Sequence, residues 1–354
     1  MNILELAEFY SNYSGNFIPT LDNFELMVAK KNHNVFYIFS NKNKSDLFYN
    51  WFNDFKEKHR VELLDFNSRS FVTDVVKYIK DNNIKLVHGH FLSSLLLSKI
   101  KKKCSKDVRF YQHIHNSFFI KKDFYAFAKR IRNLLFLDKN IDKICCSESI
   151  LPSAQYTFPK SHFYTCKNAI DFSRLSKKEN NYHDTFSILL LGHNYYIKGV
   201  DIAIEAIKSL YSNFDIHLDI VMGDRLEKNT SLIKSKYGEI PKCVSIIKPT
   251  QNVIGLYQSH TAFLNASIEE GMSYANIEAY YCGSLFISSD IPQNKEPNLP
   301  GVIYFKSGDV ESLKCALIKA YKTRNEYKND CEYVEKEFSL NRWSKEMIDI
   351  LKLN

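Results

Sequence analysis

Two glutamates eight positions apart, Glu270 and Glu278, flank Gly271, Met272 and Ser273 in the stretch Asn265–Gly283. The apolar run Ala262, Phe263, Leu264 leads into a turn with Glu269 and Glu270, and a helix is expected from near Ser273, carrying Glu278. Gly271 permits close backbone approach. Ser273 is a residue type suited to an N-cap, and the bare amides of a helix start suit a phosphate. Glu278 then lies about four residues into the helix, roughly 6 Å along its axis. That is close to the separation of a diphosphate from the ribose of the same nucleotide, and a carboxylate can accept from two ribose hydroxyls. Read locally, the stretch fits equally well a strand, turn and helix decorated with surface acids.

A second constellation runs from Leu189 to Asp201. An apolar strand ends at Gly192, a polar loop begins with His193, and Lys198-Gly199 opens a helix. A lysine beside a helix start, over a glycine turn, can neutralise a phosphate. The spacing is not that of a P-loop, and alone it also fits a surface lysine. Histidines end two further strands, as His88-Gly89-His90 and His113-Ile114-His115. A histidine pair at i, i+2 could bind a metal, but no third ligand is apparent, and no metal or other cofactor is expected.

These residues must be positioned by an alternating series of short apolar strands and amphipathic helices, the pattern of doubly wound α/β folds. Strands are expected at 2–6, 35–39, 61–66, 85–88, 109–112, 143–146 and 162–166. After a polar segment, 171–185, they resume at 186–191, 217–222, 244–247, 262–265 and 285–288. Helices are expected between them, with Val310–Tyr321 and Trp343–Leu351 closing the chain. The segment 171–185 lacks periodicity and reads as a linker. The expected organisation is one Rossmann-like domain over 1–170, a second over 186–335, and a C-terminal helix in 336–354 that packs back on the first. Ligands of such sheets bind beyond the carboxyl ends of the strands, here in a cleft between the two domains.

At 354 residues, 45% hydrophobic and 25% charged, the chain has the composition of a soluble two-domain protein. No apolar run approaches the ~20 residues of a membrane span, and the N-terminus has no basic signal region, so a cytoplasmic location is expected. The eight cysteines form no C-x-x-C pair and are expected to be reduced. The net charge of +8 is partly clustered, with five lysines in 99–106 and five basic residues in 121–132. No zinc finger, RNA-recognition signature or basic zipper accompanies it, so nucleic acid is not an expected partner.

Taken together, these motifs resemble those of the retaining GT-B glycosyltransferases of family 4, over most of the chain. Gly192, Lys198 and Gly199 match the start of that family's second domain. Glu270, Gly271, Met272, Glu278 and Ala279 match its Glu-Gly-x-Gly-x-x-x-x-Glu-Ala pattern, with Ser273 where a glycine is common and Cys282-Gly283 at its end. Asn168-Ala169-Ile170-Asp171 resembles the family's domain junction, Lys143–Ser147 the strand before it, and Gly308-Asp309 its late turn. The implied fold is α/β, two Rossmann-like domains facing each other across a cleft.

The resemblance implies a nucleotide-sugar donor, a UDP-sugar, bound by the second domain. Lys198 would contact the diphosphate, and His193 stands where the family often has an arginine, leaving Lys198 as the main cation. Glu278 would hold the ribose and Glu270 the hydroxyls of the donor sugar. The amides of Gly271, Met272 and Ser273 would meet the phosphates, and residues Ile247 to Thr250 would lie at the base. In the first domain Gly15 and Asn16 partly match a Gly-Gly pair near the donor phosphates, and His115 fits a strand-end histidine beside the transferred sugar. Retention is usually viewed as same-face attack, with the leaving phosphate taking the acceptor proton. The implied acceptor is a glycan or lipid-linked sugar in surface-polysaccharide synthesis, of capsule, exopolysaccharide or teichoic acid type. The basic, aromatic helix Lys121–Leu137 could rest on an anionic membrane surface, or its aromatics could belong to the core. A non-catalytic GT-B partner subunit and a GT-B sugar-nucleotide epimerase share the same architecture.

Overall fold

The computed structural model describes residues 1–118, 124–137, 140–177, 185–250 and 252–353, with backbone alone for 124–126 and 224. The chain forms two compact units, one of residues 1–169 and 338–354, the other of residues 170–337.

The first unit is built on seven strands: β1 Asn2–Ala7, β2 Asn34–Ser40, β3 Arg60–Leu64, β4 Ile84–His90, β5 Arg109–Ile114, β6 Ile141–Cys145 and β7 Phe163–Thr165. They pair in the order β3-β2-β1-β4-β5-β6-β7, and every pairing is parallel. A parallel sheet needs helices on both faces. Phe17–Ala29, Asp46–Lys58 and the C-terminal Leu340–Ile350 share one apolar cluster, and Phe71–Asp81 and Ser94–Lys103 share the other. The order of strands reverses between β1 and β4, the switch point at which such sheets bind ligands. The loop after β1 carries Gly15 and Asn16, and β4 ends at His90.

The second unit has six parallel strands: β8 Phe186–Leu191, β9 Ile216–Val221, β10 Val244–Ile247, β11 Ala262–Asn265, β12 Leu285–Ser289 and β13 Ile303–Phe305. Their order is β10-β9-β8-β11-β12-β13, so the switch point lies between β8 and β11. Gly192 follows the first of these strands, and the Glu270 turn follows the second. Helices Val200–Leu210 and Val310–Thr323 pack in one apolar cluster with this sheet.

The structure departs from the sequence reading in a few places. Strand β13 was not expected; it has three residues, too few to show a period. Strand β4 runs on to His90 instead of stopping at His88. Residues 171–177 do not form a free linker: the Gln258 side-chain amide ties them down, its Nε2 donating to the Ser176 carbonyl at 2.8 Å, within the second unit. Residues 178–184 of the expected linker lie outside the described residues, as do Lys121 and Lys122. All eight cysteines are free thiols.

Candidate functional site

In the second unit, two glycines fix the loop that carries Lys198. A Cβ on Gly192 would stand 2.7 Å from Ile220 Cγ2 and 2.9 Å from Val200 Cγ2. Gly199 has φ +62°, and a Cβ there would lie 2.1 Å from the Ala266 carbonyl oxygen. The loop can therefore lie directly on the end of β11, where the Ile268 amide donates to the Ile197 carbonyl at 2.9 Å. Buried Asn229 donates from Nδ2 to the carbonyls of Gly192, at 3.1 Å, and His193, at 3.3 Å.

This close approach brings Lys198 Nζ to within 2.5 Å of Glu270 Oε1. The Ser267 hydroxyl donates to the same oxygen at 2.7 Å. Beneath them lies a buried amide cluster in which Asn265 Nδ2 donates to Asn276 Oδ1 at 2.6 Å and Asn276 Nδ2 to Asn294 Oδ1 at 3.1 Å. Such a network locks the Glu270 turn, since each amide would be costly to leave unpaired. Lys198, Ser267 and Ser273 also line one small cavity of about 20 Å³. Ser273 does occupy the N-cap position of helix Tyr274–Tyr281, but its side chain makes no capping bond. The expected cap is thus absent, and its hydroxyl is not used to close the helix.

Glu278 is buried in that helix and grips two side chains that the sequence did not suggest. Arg174 Nη2 pairs with Oε1, and the Tyr257 hydroxyl donates to Oε2 at 3.2 Å. Burial first, and the Glu278 charge second, push the Tyr257 phenol well above its ordinary range. Arg174 is thus a cation beside Glu278 that the sequence reading did not name. Met272 is buried, and Ile247 ends β10 with its carbonyl accepting from the Met222 amide at 3.3 Å.

In the first unit, Gly15 has φ +56° with open space where a Cβ would point. Asn16 is the N-cap residue of Phe17–Ala29 without a side-chain capping bond. Phe17 contacts the His115 ring edge-on at 6.1 Å, and Phe91 stacks on it at 4.1 Å.

Below His115 lies a buried charge network. Glu5, in the middle of β1, is fully buried, and a carboxylate there requires partners. Strand register supplies them: Glu5 faces His88 of β4, and His90 of β4 faces His113 of β5. Glu5 Oε2 lies 3.0 Å from His88 Nδ1 and 2.8 Å from His90 Nε2. Outward from these, His88 Nε2 meets His113 Nδ1 at 3.3 Å, and His90 Nδ1 meets His115 Nε2 at 3.1 Å. Burial pushes the Glu5 carboxyl up, but the His88 charge and hydrogen bonds from both rings outweigh it and hold it at about 2. Burial, and then the His88 charge, lower His90 to about 4. Burial and neighbouring rings hold His113 and His115 well below the usual histidine range.

The third imidazole that the sequence left unidentified is therefore His113. Among the described residues His88, His90 and His113 form a group with ligand atoms within 4.8 Å of one another, close enough to share a metal ion. The sequence placed His113 on another strand, and only the β4–β5 register shows the proximity. The same atoms already form a connected network around Glu5, leaving His113 Nε2 as the one ring nitrogen of the three without a partner.

The profile of the family described as "Glycosyl transferases group 1" matches residues 171–337, which is nearly all of the second unit. The chain is 25% identical over 269 residues, 71% of each sequence, to the capsular polysaccharide biosynthesis glycosyltransferase CapH of Staphylococcus aureus. A solved glycosyltransferase from Rickettsia africae superimposes with a TM-score of 0.75 at 17% identity, over 99% of this chain and 97% of that one. Anabaena HepE in complex with UDP does so with a TM-score of 0.75 at 12% identity, over 99% and 100%. At those identities the structural likeness speaks for the fold, two Rossmann-like domains. The group's profile thus spans the unit that holds Lys198, Glu270 and Glu278, within a chain that has the two-domain GT-B fold.

Proposed function

We propose that the chain is a retaining, metal-independent transferase that moves a sugar from a UDP-sugar to a glycan or lipid-linked acceptor in surface-polysaccharide synthesis. The CapH relative carries capsule synthesis in its name, and structures of HepE hold UDP and UDP-glucose. The observation that carries the reading is the meeting of Lys198 and Glu270 at the switch point of the second sheet. There a cation and a helix start can take up charge as the diphosphate leaves an oxocarbenium-like sugar. In this reading Lys198 faces the diphosphate, with the Gly271, Met272 and Ser273 amides and the Gly192–His193 turn. Glu270 faces the sugar hydroxyls, Glu278 the ribose and Ile247 the base. His115, Gly15 and Asn16 serve from the first unit.

Lys198→Ala is expected to lower transfer by about 10²-fold or more in a chain that still folds. The assay is UDP release in the presence of acceptor. Wild-type turnover in that variant would sink the assignment, and conversion of the donor sugar without acceptor would point to the epimerase instead.

The reading includes a resting place on an anionic membrane surface. Among the described residues no helix is long and apolar enough to cross a membrane. Helix Phe124–Phe136 nevertheless exposes Phe127, Ile131, Leu135 and Phe136. For these four, the alternative of a core role does not hold.

A further inference from the structure

Directly after β4, Phe91 has φ +60°, a left-handed conformation that is strained for a bulky side chain. The other non-glycine residues with positive φ among the described ones are Asn32, Asn83, Asn298 and Lys352. Asparagine tolerates this backbone because its short side chain can bond locally, and glycine adopts it freely. Either would make the turn after β4 at less cost. Burial does not fully offset the strain, since Phe91 stays 42% exposed and withdraws only part of its ring from water. Folding alone therefore gives little reason for a phenylalanine here, and backbone strain of this kind is found where function needs it.

The strained turn places a ring. Four side chains of the first unit form a series of nearly parallel rings. Trp343 and His113 lie 6.2 Å apart at 20°, His113 and His115 4.5 Å apart at 16°, and His115 and Phe91 4.1 Å apart at 19°. Trp343 and His113 are each 3% exposed, so the series begins in the core and ends at the surface. Phe17 meets the Phe91 ring edge-on at 5.0 Å, and Phe9 packs tilted beside it at 5.9 Å. These contacts fix the orientation of a ring that is still open to solvent. Phe91 and His115 both line a cavity of about 320 Å³, at the lower end of the range for small-molecule sites.

The face of an aromatic ring carries partial negative charge. It attracts C–H groups of partial positive charge, such as those on the apolar face of a pyranose, whose hydroxyls point outward from the rim. The cavity supplies both halves of such a contact. Phe91 offers the ring, and the polar residues Ser93, Asn116 and Arg132 belong to the same lining and can bond hydroxyls. We propose that Phe91 is a stacking platform for the sugar ring of the acceptor, selecting acceptors whose pyranose has an unobstructed apolar face. Naming that sugar as the acceptor's rests on the transferase reading above, in which the nucleotide belongs to the second unit; the stacking of a pyranose on Phe91 does not.

The test is saturation-transfer NMR on the full chain, with the aromatic protons of the protein saturated. The probes are methyl β-D-galactopyranoside, methyl β-D-glucopyranoside and uridine. Saturation should pass to the axial ring protons of at least one glycoside. Phe91→Gly removes the ring together with the strain; it should stay folded by circular dichroism, bind UDP with unchanged affinity and lose most of that transfer. Phe91→Leu, apolar but without a ring, should show the same loss, and Phe91→Tyr should keep the wild-type signal. For a glycoside that serves as acceptor, KM should rise about tenfold in Phe91→Gly, with kcat and the KM of the nucleotide sugar little changed. Undiminished transfer in both Phe91→Gly and Phe91→Leu, or silence of both glycosides at millimolar concentration, would overturn the platform. So would saturation that reaches uridine through Phe91 in place of the glycosides. Phe91-dependent transfer in a chain that releases no UDP from any nucleotide sugar would keep the platform and lose the transferase reading.

Discussion

At Lys198 the residue type and its partner pull in different directions. The ammonium suited to a diphosphate is already held by Glu270 Oε1 at 2.5 Å, so a donor's phosphate must share it or displace that carboxylate. Glu270→Gln removes the competing charge and keeps the amide bonds the turn needs. UDP should then bind more tightly, by about 1 kcal/mol or roughly fivefold, while transfer falls. Calorimetry showing weaker UDP binding would mean that Glu270 aids the nucleotide site directly. The buried histidines make a separate prediction about pH. His90, His113 and His115 have depressed values in the folded chain, so the unfolded chain binds more protons below about pH 6.5. The stability they contribute is complete above that pH and is lost as pH falls from about 6.5 towards 4, at about 1.4 kcal/mol per pH unit for each neutral ring. Glu5, held at about 2, adds a loss in the same direction at lower pH. Urea midpoints that stay level between pH 7 and 5 would contradict this, and His113→Asn should flatten the profile. Lys198 with Gly192 and Gly199, and Glu270, were legible because each group lies within a single strand-turn-helix of its own. Arg174 was not, since it meets Glu278 across 104 positions from a segment without periodicity.

At the scale of elements, the long strands were legible from apolar runs and the helices from their amphipathic spacing. Helix Val310–Thr323 starts where the sequence reading placed it and runs two residues further. The short strand β13 escaped, because three residues carry neither a period nor a turn signal of their own. The helix Phe124–Phe136 shows a different limit. Its sequence leaves open whether its aromatics face the core, and only the fold answers, with Phe127 55% and Leu135 70% exposed. Phe127, Ile131 and Leu135 recur at four-residue intervals and form one stripe. Phe127→Asp/Leu135→Asp should abolish co-flotation with phosphatidylglycerol vesicles at low salt while leaving transfer to a soluble acceptor intact. Undiminished flotation would place the membrane contact elsewhere.

At the scale of the whole molecule, the chain leaves its first unit at Ala169 and returns to it at Phe338. The returning helix Leu340–Ile350 is part of that unit's core. Trp343 packs edge-on against Phe24 at 5.9 Å, and Ser344 accepts from Asn23 Nδ2 at 2.8 Å. Arg342 Nη2 donates to the Lys167 carbonyl at 2.7 Å, and Arg109 Nη1 to the Leu351 carbonyl at 2.8 Å. The returning helix thus completes a core whose sheet was laid down by residues 2–165, and the second unit is inserted in the sequence between the two segments. Trp343→Ala should therefore cost about 3–5 kcal/mol in the first unit alone. In calorimetric melting the transition of that unit should move down, and the other should stay. UDP at a hundred times its dissociation constant should add about 2.7 kcal/mol to the unit that binds it, the second, in wild type and variant alike. If UDP instead raised the transition that Trp343→Ala lowers, the nucleotide would belong to the first unit, and the roles given to Lys198 and Glu278 would have to be exchanged with those of the histidine network.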